Sequence, residues 1–212
     1  MRTNDLIKAI AADAGSKSAP MGETATLAVI GGAAITATIF FVTLGARPDI
    51  AQALQTFRFL FKFMFVVALG VPAAVVAMRL GRPGAVIGQW GRALALAPLL
   101  LALGVLMELA TVPQPLWTTK LFGTNWRECL TFIPMLSIAP LACILLALRH
   151  AAPTNGRLAG AVAGVAAASI AAVFYASHCV DDSPLFVATW YPIAIGIVAL
   201  VGSLVGARVL RW

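Results

Sequence analysis

The chain has 212 residues, 61% of them hydrophobic and only 11% charged, with a formal net charge of +7 and a mean hydropathy of +0.94. Soluble domains average about 45–50% apolar and about 25% charged residues, so this composition excludes an ordinary soluble fold, a disordered chain and a disulfide-rich secreted miniprotein. The bases are spread thinly between apolar runs, without a basic cluster or interleaved aromatics, and read as topology signals rather than as a nucleic-acid surface.

Residues 1–26 are polar, with Arg2, Asp5, Lys8, Asp13, Lys17 and Glu23. The first apolar run starts only at Leu27, behind three acids, which argues against a secretory signal and predicts a cytoplasmic tail. Within the tail, Thr3 or Asn4 can cap a helix whose first turn holds Asp5. Leu6, Ile7, Ile10, Ala11 and Ala14 then form one apolar stripe, and Gly15 suits a helix stop. Such a helix of about 11 residues is marginal alone in water. Its apolar face fits either a groove on a cytoplasmic partner or the membrane surface.

Six apolar segments follow, at 27–44, 59–78, 93–112, 130–148, 158–176 and 187–207. Each approaches the roughly 20 residues a helix needs to cross the hydrocarbon core, and none has a charge near its centre. An open strand edge cannot be satisfied in lipid, so the expected fold is all-α, a bundle of six transmembrane helices. It divides into a tail at 1–26, a six-helix membrane domain at 27–207 and a short end at 208–212. With the N-terminus inside, the inner set carries Arg2, Lys8, Lys17, Arg79, Arg82, Arg92, Arg149, Arg157, Arg208 and Arg211, against Arg47, Arg58, Lys62, Lys120 and Arg127 outside. The positive-inside pattern predicts both termini in the cytoplasm.

Pro72, Pro98, Pro134, Pro140 and Pro192 lie in or near spans and predict kinks that neighbouring helices re-satisfy. Gly156, Gly160 and Gly164 recur every four residues, as do Gly202 and Gly206, a spacing that lets backbones approach closely, within one bundle or across a homodimer seam. Trp117, Trp126, Trp190 and Tyr191 near the outer boundary, and Trp90 and Trp212 near the inner one, read as interfacial anchors.

The candidates for chemistry are few. His150 and His178 lie at opposite ends of their spans, which excludes ligation of one haem by both. Cys143 reads as a small packing residue. Cys129 and Cys179 both fall in outer loops, in a compartment that permits disulfides. His178, Cys179, Asp181 and Asp182 sit within five residues, and Cys129 follows Glu128. Two thiolates and an imidazole suit Cu, Zn or Cd at Cys129, Cys179 and His178, with no obligatory cofactor. A metal- or redox-responsive pair, a static disulfide and two idle thiols all remain open. Glu108, near the outer end of the third span, is an ionisable group at the membrane, suited to be an extra ligand or a partner for Arg127. A small transporter would show polar residues at mid-membrane and an internal repeat. A membrane thiol redox protein would show a C-x-x-C or a second cysteine pair. Neither pattern is present in the sequence.

The stretch His178-Cys179-Val180-Asp181-Asp182-Ser183-Pro184-Leu185-Phe186-Val187-Ala188-Thr189-Trp190-Tyr191 resembles the H-C-x-x-D-S-P-L-F-x-x-x-W-Y signature of the NrsF family, six-span bacterial inner-membrane anti-sigma factors. Thr3-Asn4-Asp5-Leu6-Ile7 is similar to that family's cytoplasmic N-terminal segment, and Asn125-x-x-x-Cys129-Leu130 to its first outer cysteine motif. The resemblance extends over nearly the whole chain. It implies a regulator rather than an enzyme, in the inner (plasma) membrane, that holds an extracytoplasmic-function (ECF) sigma factor inactive and does not touch nucleic acid. It further implies that residues 1–24, with Asp5, Leu6, Ile7 and Ile10, bind the sigma factor. Cys129 and Cys179 then belong to the signal-sensing side, where metal or oxidative stress is read.

Overall fold

The computed structural model describes residues 3, 5, 21–82, 84 and 86–211. Thr3 and Asp5 are helical and exposed. Leu6, Ile7 and Ile10 lie outside the described residues, and with them the predicted docking stripe. Among the described residues all regular structure is helical. In chain order it comprises α1 (Met21–Thr43), α2 (Ile50–Ala53), α3 (Phe57–Leu80), α4 (Gln89–Ala93), α5 (Leu96–Thr111), a 3₁₀ turn (Gln114–Leu116), α6 (Trp117–Phe122), α7 (Trp126–Leu136), α8 (Ile138–Arg149), α9 (Gly156–His178) and α10 (Pro184–Val209).

Six segments are long and apolar enough to cross a membrane, at Gly22–Thr43, Phe57–Leu80, Gln89–Thr111, Gln114–Arg149, Gly156–His178 and Pro184–Val209. They coincide with the predicted spans and run longer at most ends, because polar termini such as Asn155 and Thr56 continue the helix as caps. The Asn155 side chain accepts from Leu158 N–H at 3.0 Å, and Thr56 Oγ1 accepts from Phe59 N–H at 3.4 Å.

α9 is the central helix, packed against α10, α3, α8, α7 and α1. Its buried face is almost entirely Ala and Gly, including Ala159, Gly160, Ala163, Gly164, Ala167 and Ala171. Small side chains let several helices meet one axis, where lipid offers no hydrophobic drive and contact area must come from close packing. The two glycine series face each other within the chain. A Cβ at Gly206 would lie 2.5 Å from the Gly156 carbonyl oxygen, and one at Gly164 2.6 Å from that of Val198. These faces are therefore consumed by the α9–α10 seam and do not form a homodimer surface.

The fourth span is broken at Ser137, between α7 and α8. Pro140 has no N–H to give the carbonyl of Leu136 four residues earlier. Thr36 of α1 supplies the donor instead, its Oγ1 lying 3.1 Å from Leu136 O. Gly32, one turn earlier on α1, makes the approach feasible, since a Cβ there would stand 2.6 Å from Pro140 Cα. The proline kink is thus re-satisfied by a neighbouring helix.

Successive crossings alternate direction. The connections around Arg47, Thr124 and Asp181 gather at one end, where Arg47 N–H donates to Ser177 O at 3.1 Å. At the opposite end Ala152 N–H donates to Gly81 O at 3.1 Å. These are called below the Cys179 end and the Arg82 end.

Candidate functional site

The Cys179 end is organised by the short extended segment between α9 and α10. Cys179 closes α9, its N–H donating to Tyr175 O at 2.9 Å. Pro184, with its fixed φ, starts α10. The polar side chains between them point in different directions.

Asp181 turns toward the start of α7. Its Oδ2 accepts from Thr124 N–H at 2.9 Å, Asn125 N–H at 2.8 Å and Thr124 Oγ1 at 3.2 Å. A carboxylate is favoured there by the free amides at a helix start. Gly123 makes room: its φ is +56°, and a Cβ would sit 2.7 Å from Asp181 Cγ. Asp182 turns the other way, between two cations. Its Oδ1 is 2.5 Å from Lys62 Nζ and its Oδ2 2.9 Å from Arg47 Nη1. Lys62 Nζ also donates to the Cys179 carbonyl at 2.9 Å, and Arg47 Nη1 to the same oxygen at 3.4 Å. Arg47 forks onto Asp49 as well, with both contacts at 2.7 Å. That pairing lowers the Asp49 carboxyl below its ordinary range and raises the Arg47 guanidinium further above its own. Lys62 is fully buried, and a cation there persists only because it is paired.

Glu108 forms a second lock on the same segment. Its Oε2 accepts from Ser183 Oγ at 2.7 Å and from Leu185 N–H at 3.0 Å, so a remote carboxylate caps α10. Its Oε1 lies 3.3 Å from Arg58 Nη2. The expected pairing with Arg127 does not form. Arg127 instead sits over the Trp126 ring, 5.0 Å from its centroid.

All three cysteines are free, and Cys129 and Cys179 are fully buried. Cys179 Sγ points at the Asp181 carbonyl, 3.9 Å away, and the Tyr175 hydroxyl donates to Asn125 O at 3.3 Å. The same carbonyl accepts from Cys129 N–H at 2.9 Å, so one knot holds both cysteine backbones. Burial pushes the Cys179 thiol up, an effect the Lys62 ammonium opposes. The structure therefore encloses two free thiols at the end of the bundle where Lys62 is buried.

A resident metal does not fit this arrangement. Among the described residues no group of three His, Cys, Asp or Glu side chains is disposed to hold one. His178 Nδ1 lies 2.9 Å from Gly45 O, which places its proton on Nδ1 and ties the ring to the end of α1. Both aspartates are committed to amides or cations. Of the expected ligand set, the two thiols and the Nε2 of His178 remain without a committed partner among the described residues.

Tyr191 was expected among the interfacial anchors but is fully buried beside Tyr175, with ring centroids 6.3 Å apart. Its two neighbours in that expectation, Trp126 and Trp190, stack on each other at 5.1 Å, and Trp190 Nε1 donates to Leu121 O at 2.8 Å. Lys62 was counted only as an outer base. The signal that marks it is a charge one turn inside an apolar helix, flanked by Phe57, Phe59, Phe61, Phe63 and Phe65.

A helical bundle with six segments long and apolar enough to cross a membrane has the form of a polytopic membrane protein. The model of a family described as "Negative regulator of sigma F" matches residues 10–212, and the chain belongs to this NrsF family. It is 36% identical to the probable anti-sigma-F factor NrsF of Azospira oryzae and 34% identical to the anti-sigma-F factor NrsF of Caulobacter vibrioides, with all of each chain covered. No solved structure matches.

Proposed function

We propose that this chain is a membrane-held anti-sigma factor that keeps an ECF sigma factor at the inner membrane through its N-terminal tail and releases it when the Cys129–Cys179 pair reacts. It acts as a regulator and not as an enzyme. The observation that carries this reading is the end-to-end likeness to two anti-sigma-F factors, which covers the whole of this chain. The Arg82 end carries Arg79, Arg82, Arg92, Arg149, Arg157, Arg208 and Arg211, which supports a cytoplasmic position for that end and for the tail. The Cys179 end then faces the periplasm.

In the resting state the two thiols are reduced and enclosed. The signal is a thiol-reactive agent: an oxidant that takes two electrons as the sulfurs lose two protons and join, or a soft metal ion such as Cu, Zn or Cd captured by the pair. Either repacks the extended segment and biases the bundle toward a second state. A transcriptional reporter for the sigma factor tests this. Deleting the chain should turn the reporter on, wild type should silence it, and Cys129→Ser with Cys179→Ser should stay silent under diamide. A reporter that stays silent without the chain would refute the assignment.

A further inference from the structure

We infer that Lys62 is the grip by which the Cys179 segment controls the opposite end of the bundle, with α3 as the lever between them; this rests on the regulatory reading above. Lys62 holds the carbonyl of Cys179 itself as well as Asp182. Chemistry at the Cys179 sulfur therefore moves the group that Lys62 grasps. Arg58 lies one turn earlier on the same face of α3 and reaches Glu108, which caps α10. Two attachments of the 179–185 segment thus converge on α3, beside those that Arg47 and the Thr124–Asn125 amides make to it.

α3 is one helix of 24 residues with Pro72 inside it, and from Lys62 to Leu80 it rises about 27 Å, close to the depth of a bilayer core. Its other end holds three cytoplasmic elements. Arg79 Nη1 donates to Val86 O at 3.0 Å and to Ile87 O at 3.3 Å. Gly81 O accepts from Ala152 N–H at 3.1 Å. Arg82 stands beside Gly22, with its Nη2 3.7 Å from where a Cβ would be, at the root of the tail. A tilt or slide of α3 is therefore felt by both cytoplasmic loops and by the base of the sigma-binding segment.

Lys62 makes this a switch rather than a spring. It packs 5.1 Å over the Phe59 ring, and among the described residues its acceptors are Cys179 O and Asp182. A buried ammonium cannot remain in place without them. When the segment repacks, α3 must carry Lys62 to water or to a new partner, so two discrete arrangements exist. Discrete arrangements are what coupling across a packed bundle requires.

The test uses the full-length chain in its native host, with the sigma-dependent reporter and quantitation of the chain in membranes. Lys62→Met should raise the reporter, without any inducer, to the level of a strain lacking the chain, while membrane abundance stays at wild type. Lys62→Arg should silence normally. Lys62→Met at normal abundance with a silent reporter overturns the inference, whether or not diamide still induces. If Lys62→Met fails to accumulate, Asp182→Asn decides: it preserves volume, and derepression upholds the inference where silence overturns it. A wild-type chain that does not silence the reporter would instead remove the anti-sigma reading itself.

Discussion

Glu108→Ala probes how the extended segment is held. The Glu108 carboxylate is 1% exposed and takes two hydrogen bonds on one oxygen, from Ser183 Oγ and Leu185 N–H. Bonds to a charged acceptor contribute about 1.5–3 kcal/mol each, and an orphaned buried donor costs about 1–3 kcal/mol. Ser183 can turn its hydroxyl elsewhere, whereas Leu185 N–H, at the start of α10, has no substitute partner within its own helix. The substitution should therefore cost about 3–4 kcal/mol. Glu108→Gln retains a carbonyl oxygen for both donors and loses only the charge, for a cost of about 1–2 kcal/mol. Arg58 is 44% exposed, so Arg58→Met should cost no more than about 1 kcal/mol. Titrating purified chain in mixed micelles with SDS, followed by tryptophan fluorescence, ranks the three. If Ala is no worse than Gln, or if Arg58→Met is the most damaging, Glu108 is not a cap and the reasoning fails.

Other outcomes follow from the same geometry. Thr36→Val should destabilise by about 1–2 kcal/mol, because Leu136 O loses its donor. Pro140→Ala, which returns an N–H to that carbonyl, should make the Thr36 loss nearly silent in a double-mutant cycle. Gly160→Ala should cost at least about 1–3 kcal/mol in the SDS titration, since its Cβ would collide with the Gly202 backbone; a neutral result would mean the α9–α10 seam is not close-packed. Alkylation of Cys179 by iodoacetamide should be slow at neutral pH, with a pH profile above that of a free thiol at about 8.5, and Lys62→Met should move it higher still. The sign is fixed by linkage: the folded thiol keeps its proton longer than the unfolded one, so its contribution to stability is full below about pH 8.5 and declines as the pH rises further. Alkylation with the profile of free cysteine would contradict the burial.

The spans were legible because hydropathy and helix length alone decide what can cross lipid. The fold also used signals that are visible but ambiguous in one dimension. The Gly156–Gly160–Gly164 series has the same spacing whether it meets Gly202 and Gly206 or a second chain, and only the third dimension chooses. Pro134 and Pro140 announced a disturbed fourth span, but not that Thr36, a hundred residues away, would supply the missing donor. At the site, sequence proximity misled. His178, Cys179, Asp181 and Asp182 look like a ligand cluster because they are adjacent. An extended backbone sends successive side chains in different directions, so His178 meets the Gly45 carbonyl, Asp181 the Thr124 and Asn125 amides, and Asp182 the Lys62 and Arg47 cations. Lys62 was hidden by the opposite effect: a residue near a span end counts as a loop charge until its burial is known. Glu108 was recognised as unusual, but its partner was assigned to Arg127 rather than to Arg58 at the start of the preceding span.

In the proposed function the tail holds a sigma factor, and the buried thiols decide whether it lets go. The direct measurement is the amount of sigma factor that copurifies with affinity-tagged full-length chain from solubilised membranes of the native host, before and after diamide. Wild type should retain the sigma factor and lose it on oxidation, and the Cys129→Ser, Cys179→Ser chain should retain it in both conditions. The Leu6→Glu, Ile10→Glu chain should retain none, because a docking groove cannot accept two unpaired charges. Equal retention by wild type and by that tail variant, or no sigma factor on the wild-type chain at all, would contradict the account.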